Sequence, residues 1–194
     1  MNGYGVCDTC KNVLNLLYTR LLWKNARLVR RPILVRNRRN ITMGRGFTCG
    51  VNCRINPGPE GIICIGQNFT MGDQCQIEAM KKVIIGNDVL IASKVYIGDS
   101  SHGKYSGENQ TSPDVLPNER VICAEPIVIG DRVWVGNNVT ILPGVTIGNG
   151  TVIGAGSIVT HSIPEAVVAV GNPAKVIKQW DGIEWKCIKN EGLS

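Results

Sequence analysis

The side chain best suited to chemistry in this 194-residue sequence is His102, one of only two histidines. It lies in a long polar stretch, residues 99–126, that is rich in turn-forming residues. Because imidazole titrates close to neutral pH, His102 can take a proton from a hydroxyl group as a general base. A lone surface histidine usually has no such role, so the elements around it must decide whether this chemistry is used.

Cysteines are the other reactive side chains, and there are eight of them: Cys7, Cys10, Cys49, Cys53, Cys64, Cys75, Cys123 and Cys187. Neither the Cys7/Cys10 pair nor the Cys49/Cys53 pair has a nearby histidine, and their spacing matches no standard zinc module. We therefore expect free thiols and no metal. The sequence opens without the features of a secretory signal peptide, which favours a cytoplasmic protein.

Aliphatic residues recur in unbroken steps of six at Ile129, Val135, Ile141, Ile147, Ile153 and Val159. The same step connects three earlier triplets, namely Ile85, Ile91 and Ile97; Ile65, Met71 and Ile77; and Met43, Cys49 and Ile55. A period of six with turn residues after each anchor indicates a short strand and a corner, so three repeats make one coil. We predict a parallel β-helix over residues 41–178, with five coils spanning roughly 24 Å at about 4.8 Å each.

Small and turn-forming residues follow many of the anchors, among them Gly130, Asn137, Gly148 and Asn149. We expect these four to lie at corners and to adopt a positive φ. The repeat is interrupted by residues 99–126, which we predict to form an external loop. Long loops on compact domains are usually functional or disordered, and this one carries His102.

The positive charge is concentrated at one end of the chain. Residues 1–46 hold ten Lys and Arg against one Asp, so this part carries +9 and the remainder −3. We predict a basic amphipathic N-terminal segment over residues 1–40 and a C-terminal tail over residues 179–194. Leucines at helical spacing between Val13 and Val29 indicate a short helix, which could pack on the β-helix or lie on an anionic membrane.

The charge alone would also suit nucleic acid or a phosphorylated substrate. We expect no nucleic-acid partner, and no apolar run is long enough to span a membrane. A metal-dependent carbonic anhydrase built on such coils would need three histidines at a subunit interface, and the sequence has two. That class of enzyme is therefore disfavoured.

Three segments resemble the hexapeptide-repeat acyltransferases, in the branch of galactoside, maltose and xenobiotic O-acetyltransferases. They cover more than half of the chain and read VIIGNDVLIASKVYIGDSSHG, PIVIGDRVWVGNNVTILPGVTIGNGTVIGAGSIVT and IPEAVVAVGNPAKVIK. The chain looks closest to the O-acetyltransferases of bacterial O-antigen or colanic acid assembly. The resemblance implies an all-β fold with a left-handed coil, where the general rule for parallel crossovers favours a right-handed one. It also implies a homotrimer.

The same resemblance implies acetyl-CoA as co-substrate and direct attack of a sugar hydroxyl on the thioester. In this family the loop histidine is the general base, which is His102 here, and the backbone N–H of Asn137 would stabilise the oxyanion. The implied CoA groove between subunits is formed by Trp134, Asn137, Ala155, Thr160, His161, Lys175 and Lys178. His161 stands where family members often carry lysine.

The acceptor side departs from the family pattern. Gly72 stands where the family has a sugar-binding asparagine, and Met80 where it has an aspartate. We predict that Asp73 and Glu78 bind the acceptor hydroxyls instead.

Two carboxylates near the loop, Asp99 and Glu125, are predicted to orient His102. The predicted function is O-acetylation of a sugar or lipid-linked glycan of a bacterial surface polysaccharide, in the cytoplasm or peripherally at the inner membrane. The alternative within acetyl transfer is a free small sugar or an antibiotic as acceptor. The alternative of another class is a non-catalytic β-helix scaffold.

Overall fold

A computed structural model describes residues 5–188 of the chain. In this range one α-helix, α1 (Val6–Leu22), precedes 22 short strands. Most strands stack in parallel as the three faces of a triangular prism. The predicted all-β parallel β-helix with a short N-terminal helix is confirmed.

The bounds of the strands follow the three faces in turn. The first face contains β1 (Leu28–Val29), β4 (Thr48–Cys49), β7 (Thr70–Met71), β10 (Leu90–Ile91), β15 (Trp134–Val135), β18 (Val152–Ile153) and β20 (Val167–Val170), followed by the antiparallel β21 (Lys175–Trp180) and β22 (Trp185–Cys187). The second face contains β2 (Ile33–Val35), β5 (Cys53–Pro57), β8 (Gln76–Ala79), β11 (Tyr96–Gly98), β16 (Thr140–Ile141) and β19 (Ile158–Val159). The third face contains β3 (Ile41–Met43), β6 (Ile62–Ile65), β9 (Lys82–Ile85), β14 (Ile127–Ile129) and β17 (Thr146–Ile147). The remaining strands, β12 (Ser100–His102) and β13 (Ile122–Ala124), pair outside the prism.

The core is a column of the predicted anchors. Fourteen of the fifteen are buried, and Met43 is partly buried against them. Aromatic rings close the N-terminal end of the column, where Trp23 packs on Phe47 and Phe47 on Phe69, each pair with centroids 5.9 Å apart. Burying one such side chain contributes about 1.5–3 kcal/mol, so stacking identical coils builds a continuous stable core.

The β-helix extends beyond the five predicted coils at both ends. Strands β1 and β2, within the segment 1–40, pair in parallel with β4 and β5. At the other end β20 continues the first face, and β21 and β22 carry the sheet into the segment 179–194. The residues described there end at 188.

The corners use their residues differently from the prediction. The left-handed φ falls one residue after the predicted asparagines, on Asn138 (57°) and Gly150 (65°). Asn137 and Asn149 instead point their side-chain oxygens at the preceding coil. Gly148 is required by close approach, because a Cβ there would collide with the backbone of Glu165.

Candidate active site

His102 lies in a hairpin that leaves the prism at the corner between the second and third faces, here called the second corner. Strands β12 and β13 pair antiparallel, with His102 opposite Ile122. The Tyr105 hydroxyl donates to the His102 carbonyl, and Arg120 Nη1 donates to that hydroxyl at 2.8 Å. The backbone of His102 is thus held firmly while its side chain is exposed.

Asp99, immediately before this hairpin, has a different role from the one predicted. Its side chain is fully buried, and its two carboxylate oxygens accept the N–H groups of Met80 (2.6 Å), Lys81 (2.8 Å) and Lys82 (2.7 Å). Both oxygens therefore satisfy the corner of the preceding coil and not the His102 ring. Charge-assisted bonds of this kind are stronger than neutral ones, so Asp99 fixes the point from which the hairpin starts.

Glu125 lies at the other end of the hairpin. Its N–H donates to the Asp99 carbonyl at 2.8 Å, which closes the base of the hairpin. Its side chain is exposed and lies over Gly144. Of the two carboxylates predicted to orient His102, Glu125 is the one not committed to backbone amides, and its role stays a prediction.

A ladder of side-chain oxygens runs along the corner between the first and second faces, here called the first corner. The N–H of Val51 donates to Asp73 Oδ1 (2.8 Å), that of Asp73 to Ser93 Oγ (3.0 Å), and that of Ser93 to Asn137 Oδ1 (3.0 Å). The next ladder position is Ala155, which has no side-chain oxygen. In the part of the chain that the structure describes, the Asn137 N–H consequently has no acceptor.

A largely apolar stripe runs up the first face beside this corner. Trp134 is 52% exposed and pairs with Leu90 below it and Val152 above it. Val152 pairs with Val168, and Val168 with Lys178, so Lys178 lies three strand spacings, or about 14 Å, from Trp134 on the same side of the sheet. The stripe thus begins with an exposed aromatic ring near Asn137 and ends at a cation.

Of the remaining three residues of the predicted groove, one lies on the first face and two lie at the second corner. Lys175 is exposed opposite Val170 on the first face, whereas Thr160 and His161 follow β19 at the second corner. There Thr160 Oγ1 lies 2.7 Å from His161 Nδ1.

The predicted residues therefore form two groups at different corners. The first-corner group contains Asp73, Trp134, Asn137 and Ala155, and the second-corner group contains His102, Glu125, Thr160 and His161. Ser93 and Asp99 mark the two ends of the second face, and the six steps along the chain from one to the other span up to roughly 20 Å at about 3.3 Å each. Within one chain, the structure gives no hydrogen bond between the two groups among residues 5–188.

Asp73 borders a cavity of about 860 Å³ between α1 and the first corner. Its neighbours in the lining include Lys11, Arg30 and Arg31, three cations that the sequence analysis did not place near the site. No salt bridge joins these charged groups to one another within residues 5–188. The cavity lining therefore contains three cations and two carboxylates, Asp8 and Asp73, and is positive by one charge.

Glu78 lies on the second face, paired with Gly98 in the next coil, just before the hairpin begins. Its carboxylate accepts from Gln76 Nε2 (2.7 Å) and from the Tyr96 hydroxyl (3.4 Å). Burial, together with the Glu78 charge, raises the pKa of Tyr96, so this hydroxyl stays protonated as a donor. Gln76 and Tyr96 were missed by sequence reasoning, although the six-residue register puts both at the same outward position in successive coils.

Comparison with known proteins places these features in a family. The family described as Bacterial transferase hexapeptide (six repeats) matches residues 126–161. The chain is 42% identical over 179 residues to the putative lipopolysaccharide biosynthesis O-acetyl transferase WbbJ of Escherichia coli (strain K12), covering 92% of this chain and 91% of that protein. The chain belongs to the hexapeptide-repeat O-acetyltransferases.

Solved structures of similar acetyltransferases agree with this assignment. A maltose O-acetyltransferase from Clostridium difficile 630 is 37% identical, with a TM-score of 0.61 over 73% of this chain and 71% of that one. A galactoside acetyltransferase in complex with coenzyme A is 36% identical, with a TM-score of 0.54 over 69% and 65%. The hexapeptide O-acetyltransferase described here is therefore a left-handed β-helix, as the resemblance implied.

The cysteines of the acetyltransferase separate into two environments. Cys7 and Cys10 are exposed on α1, whereas Cys49, Cys53 and Cys75 are buried in the prism. The Cys75 thiol donates to the Ala92 carbonyl of the next coil at 2.9 Å. Among residues 5–188, no group of three or more His, Cys, Asp or Glu side chains is arranged to hold a metal ion.

No helix in that range is both long and apolar enough to cross a bilayer.

Replacing Asp99 tests its structural role. We expect Asp99→Ala to lower the free energy of unfolding by about 2–3 kcal/mol, because three partly buried N–H groups lose a charged acceptor. Urea denaturation measures the loss. Glu125→Ala, at the exposed end of the same hairpin, serves as the control and should change stability by less than about 1 kcal/mol. Equal stability of Asp99→Ala and wild type would contradict the role described for this carboxylate.

Proposed function

We propose that this acetyltransferase transfers the acetyl group of acetyl-CoA to a sugar hydroxyl of a bacterial surface polysaccharide, either lipopolysaccharide O-antigen or a capsular or exopolysaccharide. The observation that carries the reaction is the gap in the first-corner ladder, which leaves the Asn137 N–H free beside the Trp134 stripe. The similarity to a protein named for lipopolysaccharide biosynthesis supports the class of acceptor.

His102 would act as the general base in this reaction. Its imidazole takes the proton of the acceptor hydroxyl while the hydroxyl oxygen attacks the thioester carbonyl carbon. When the tetrahedral intermediate collapses, the C–S bond breaks and the same imidazole returns the proton to the departing sulfur. A proton balance of this kind needs no metal and no covalent enzyme intermediate.

The Asn137 N–H would stabilise the negative oxygen of that intermediate. Every other ladder N–H at this corner, from Val51 to Ser93, is already used to hold the coils together. Asn137 is held equally well by its own side chain, which accepts from Ser93, yet its N–H stays available. A donor fixed in advance costs no reorganisation when charge develops, which makes it effective as an oxyanion hole.

A homotrimer would complete the site. The first-corner and second-corner groups lie at opposite ends of the second face, so a neighbouring copy would bring its His102 to the Asn137 of this chain. Such a heterologous contact closes into a ring when each copy gives one hairpin and receives another. Thr160 and His161 would arrive with the same neighbour.

Acetyl-CoA would then lie in the groove between the copies. The pantetheine arm would pack along Trp134 and Val152, past the exposed Ala155. Lys178 and Lys175, at the top of the first face, would meet the phosphates. The exposure of Trp134 in the single chain is explained by this ligand and neighbour together.

The acceptor would carry phosphate in addition to its sugar. The cavity beside Asp73 lies on the same ladder column as Asn137, two coils or about 10 Å away, and three cations line it. A sugar linked to a nucleotide or to a lipid pyrophosphate matches that charge, whereas a free sugar or an uncharged antibiotic would leave it unused. We place its sugar hydroxyls near Asp73 of one copy and near Glu78 of the neighbouring copy that contributes His102. The reaction would take place in the cytoplasm or at the inner face of the membrane.

Removing His102 tests the mechanism. We expect His102→Ala to lower kcat by about 10²–10⁴-fold, because the hydroxyl loses its proton acceptor, while binding of CoA is unchanged. The matched control is the other histidine: His161→Ala should raise KM for acetyl-CoA and alter kcat less than tenfold. Steady-state kinetics and calorimetric titration with CoA supply both values. Full activity of His102→Ala would refute the mechanism, and loss of all transfer in wild type would favour a non-catalytic scaffold.

Extending the ladder tests the oxyanion hole. In Ala155→Asn the new side-chain oxygen should accept the Asn137 N–H, as Asn137 does for Ser93, so kcat should fall about 10²–10³-fold without loss of thermal stability. Ala155→Leu has nearly the same shape without an acceptor and serves as the control. If the leucine variant loses as much activity, bulk and not the captured N–H is responsible.

Neutralising the cavity tests the acceptor. We expect Lys11→Gln with Arg30→Gln to raise KM at least tenfold for acceptors that carry phosphate, and to leave acetyl-CoA hydrolysis unchanged. Arg31, the third cation of the lining, is unsuitable for this test because it also holds α1 in place. The exposed Arg36→Gln is the control. A screen of nucleotide sugars and extracted glycolipids identifies the acceptor. If the variant and the wild type have the same KM for acceptors that carry phosphate, the proposed phosphate contact is contradicted.

A further inference from the structure

Helix α1 packs on the β-helix with its polar side inward. Asn15 and Thr19 are buried, and the Thr19 hydroxyl accepts the Val29 N–H at 2.8 Å while it donates to the Asn15 carbonyl at 2.6 Å. Asn15 Oδ1 accepts the N–H of Arg31 at 3.3 Å. This arrangement is the reverse of an ordinary surface helix, which buries its apolar stripe.

The first coil of the β-helix has backbone N–H groups that need polar partners from α1. At the first corner the ladder acceptor for Arg31 would be the side chain of residue 51, which is valine and has no oxygen. Asn15 supplies the missing acceptor from α1, and Thr19 supplies another for β1, the edge strand of the first face. The helix thus serves as the polar cap of the coil edge.

The opposite side of α1 is left apolar and uncovered. We define the outer face of α1 as the five side chains that are more than half exposed: Leu21 (82%), Leu17 (60%), Leu14 (55%), Val13 (52%) and Leu22 (51%). Leu14 and Val13 lie at its margins, where they also line the pockets between α1 and the prism. A contiguous exposed face of this kind marks a surface that another body covers.

The orientation of this face is fixed and not the result of a loosely attached helix. Arg38 Nη2 donates to the Leu22 carbonyl at 2.8 Å, and its guanidinium lies 4.2 Å from the centre of the Trp23 ring. Arg31 lies 4.8 Å above the Tyr18 ring. Together with the buried Trp23, these contacts hold the C-terminal half of α1 against the prism.

Cations border the outer face. Lys11, Arg20 and Lys24 are exposed around it, and none of them forms a salt bridge within residues 5–188. The only acidic residue of α1 is Asp8, in its first turn. Apolar side chains bordered by unpaired Lys and Arg are typical of helices that lie in the interface of an anionic bilayer. A second copy of the same face would bring the same positive charges, which disfavours self-association.

We propose that the outer face of α1 docks this enzyme on an anionic lipid bilayer, with the helix lying parallel to the membrane surface. The docking itself does not depend on the proposed reaction. The consequence of docking for the acceptor does rest on the proposed function. Helix α1 forms one wall of the cavity beside Asp73, so the cations of this cavity would lie close to the headgroup layer. A lipid-linked glycan carries its pyrophosphate in that layer.

Flotation with lipid vesicles tests the docking. The full-length protein should float with vesicles of phosphatidylglycerol and phosphatidylethanolamine, and at least tenfold less with phosphatidylcholine alone. Leu17→Ser with Leu21→Ser should reduce binding to the anionic vesicles at least tenfold, and Arg20→Gln with Lys24→Gln should reduce it and weaken its dependence on salt. Because these side chains are exposed, thermal unfolding should be unchanged.

An equally exposed apolar residue elsewhere supplies the matched control. Ile183, 85% exposed between β21 and β22, lies at the opposite end of the prism, so Ile183→Ser should float like wild type. Acetyl-CoA hydrolysis without vesicles should be the same in all variants, which separates docking from the catalytic proposal. Equal flotation on neutral and anionic vesicles would overturn the inference. The inference would also be overturned if Leu17→Ser with Leu21→Ser had a lower oligomer mass than wild type in sedimentation velocity. That result would show that the outer face of α1 forms a contact between copies.

Discussion

Each corner of this β-helix turns backbone N–H groups away from the strand ladders, and a side-chain oxygen from the next coil accepts them. Asp73, Ser93 and Asn137 do so at the first corner, and Asn87, Asp131 and Asn149 at the corner between the third and first faces. Each of these exposed hydrogen bonds contributes about 0.5–1.5 kcal/mol, so a column of them favours one alignment of successive coils. The hydrogen bonds therefore tie the register of each coil to the next.

Both proposals rest on places where this ladder is interrupted or redirected. Ala155 offers no oxygen and so leaves the Asn137 N–H available to a ligand. Asp99 performs the corner role at the base of the hairpin, which anchors the loop that carries His102. At the first coil, valine at position 51 leaves an amide that Asn15 of α1 must satisfy, and this requirement turns the apolar side of the helix outward.

The two groups of residues lie far apart in one chain and would form one site only between two copies. A prism with rigid, straight faces cannot fold back to join its own corners, so His102 and Asn137 stay apart in the monomer. The exposed Trp134 and the hairpin held by Tyr105 and Arg120 are features that a neighbouring copy would complete. Catalysis and oligomerisation would then share one surface, which couples the two physically.

The sequence by itself determined the repeat, the core and the position of His102 on an external loop, because a period of six leaves each aliphatic anchor only one direction to point. The six-residue register also places Asn137 and Ala155 one coil apart at the same corner, whereas their grouping with Trp134 as a CoA groove came from the resemblance to the acetyltransferase family and stays a prediction. Only the tertiary structure decided what each polar residue does at a corner. The positive φ lies at Asn138 and Gly150 and not at the asparagines before them, and the Asp99 carboxylate accepts backbone N–H groups. Helix α1 packs with its polar side inward. Each of these outcomes depends on which side-chain oxygen the adjacent element presents.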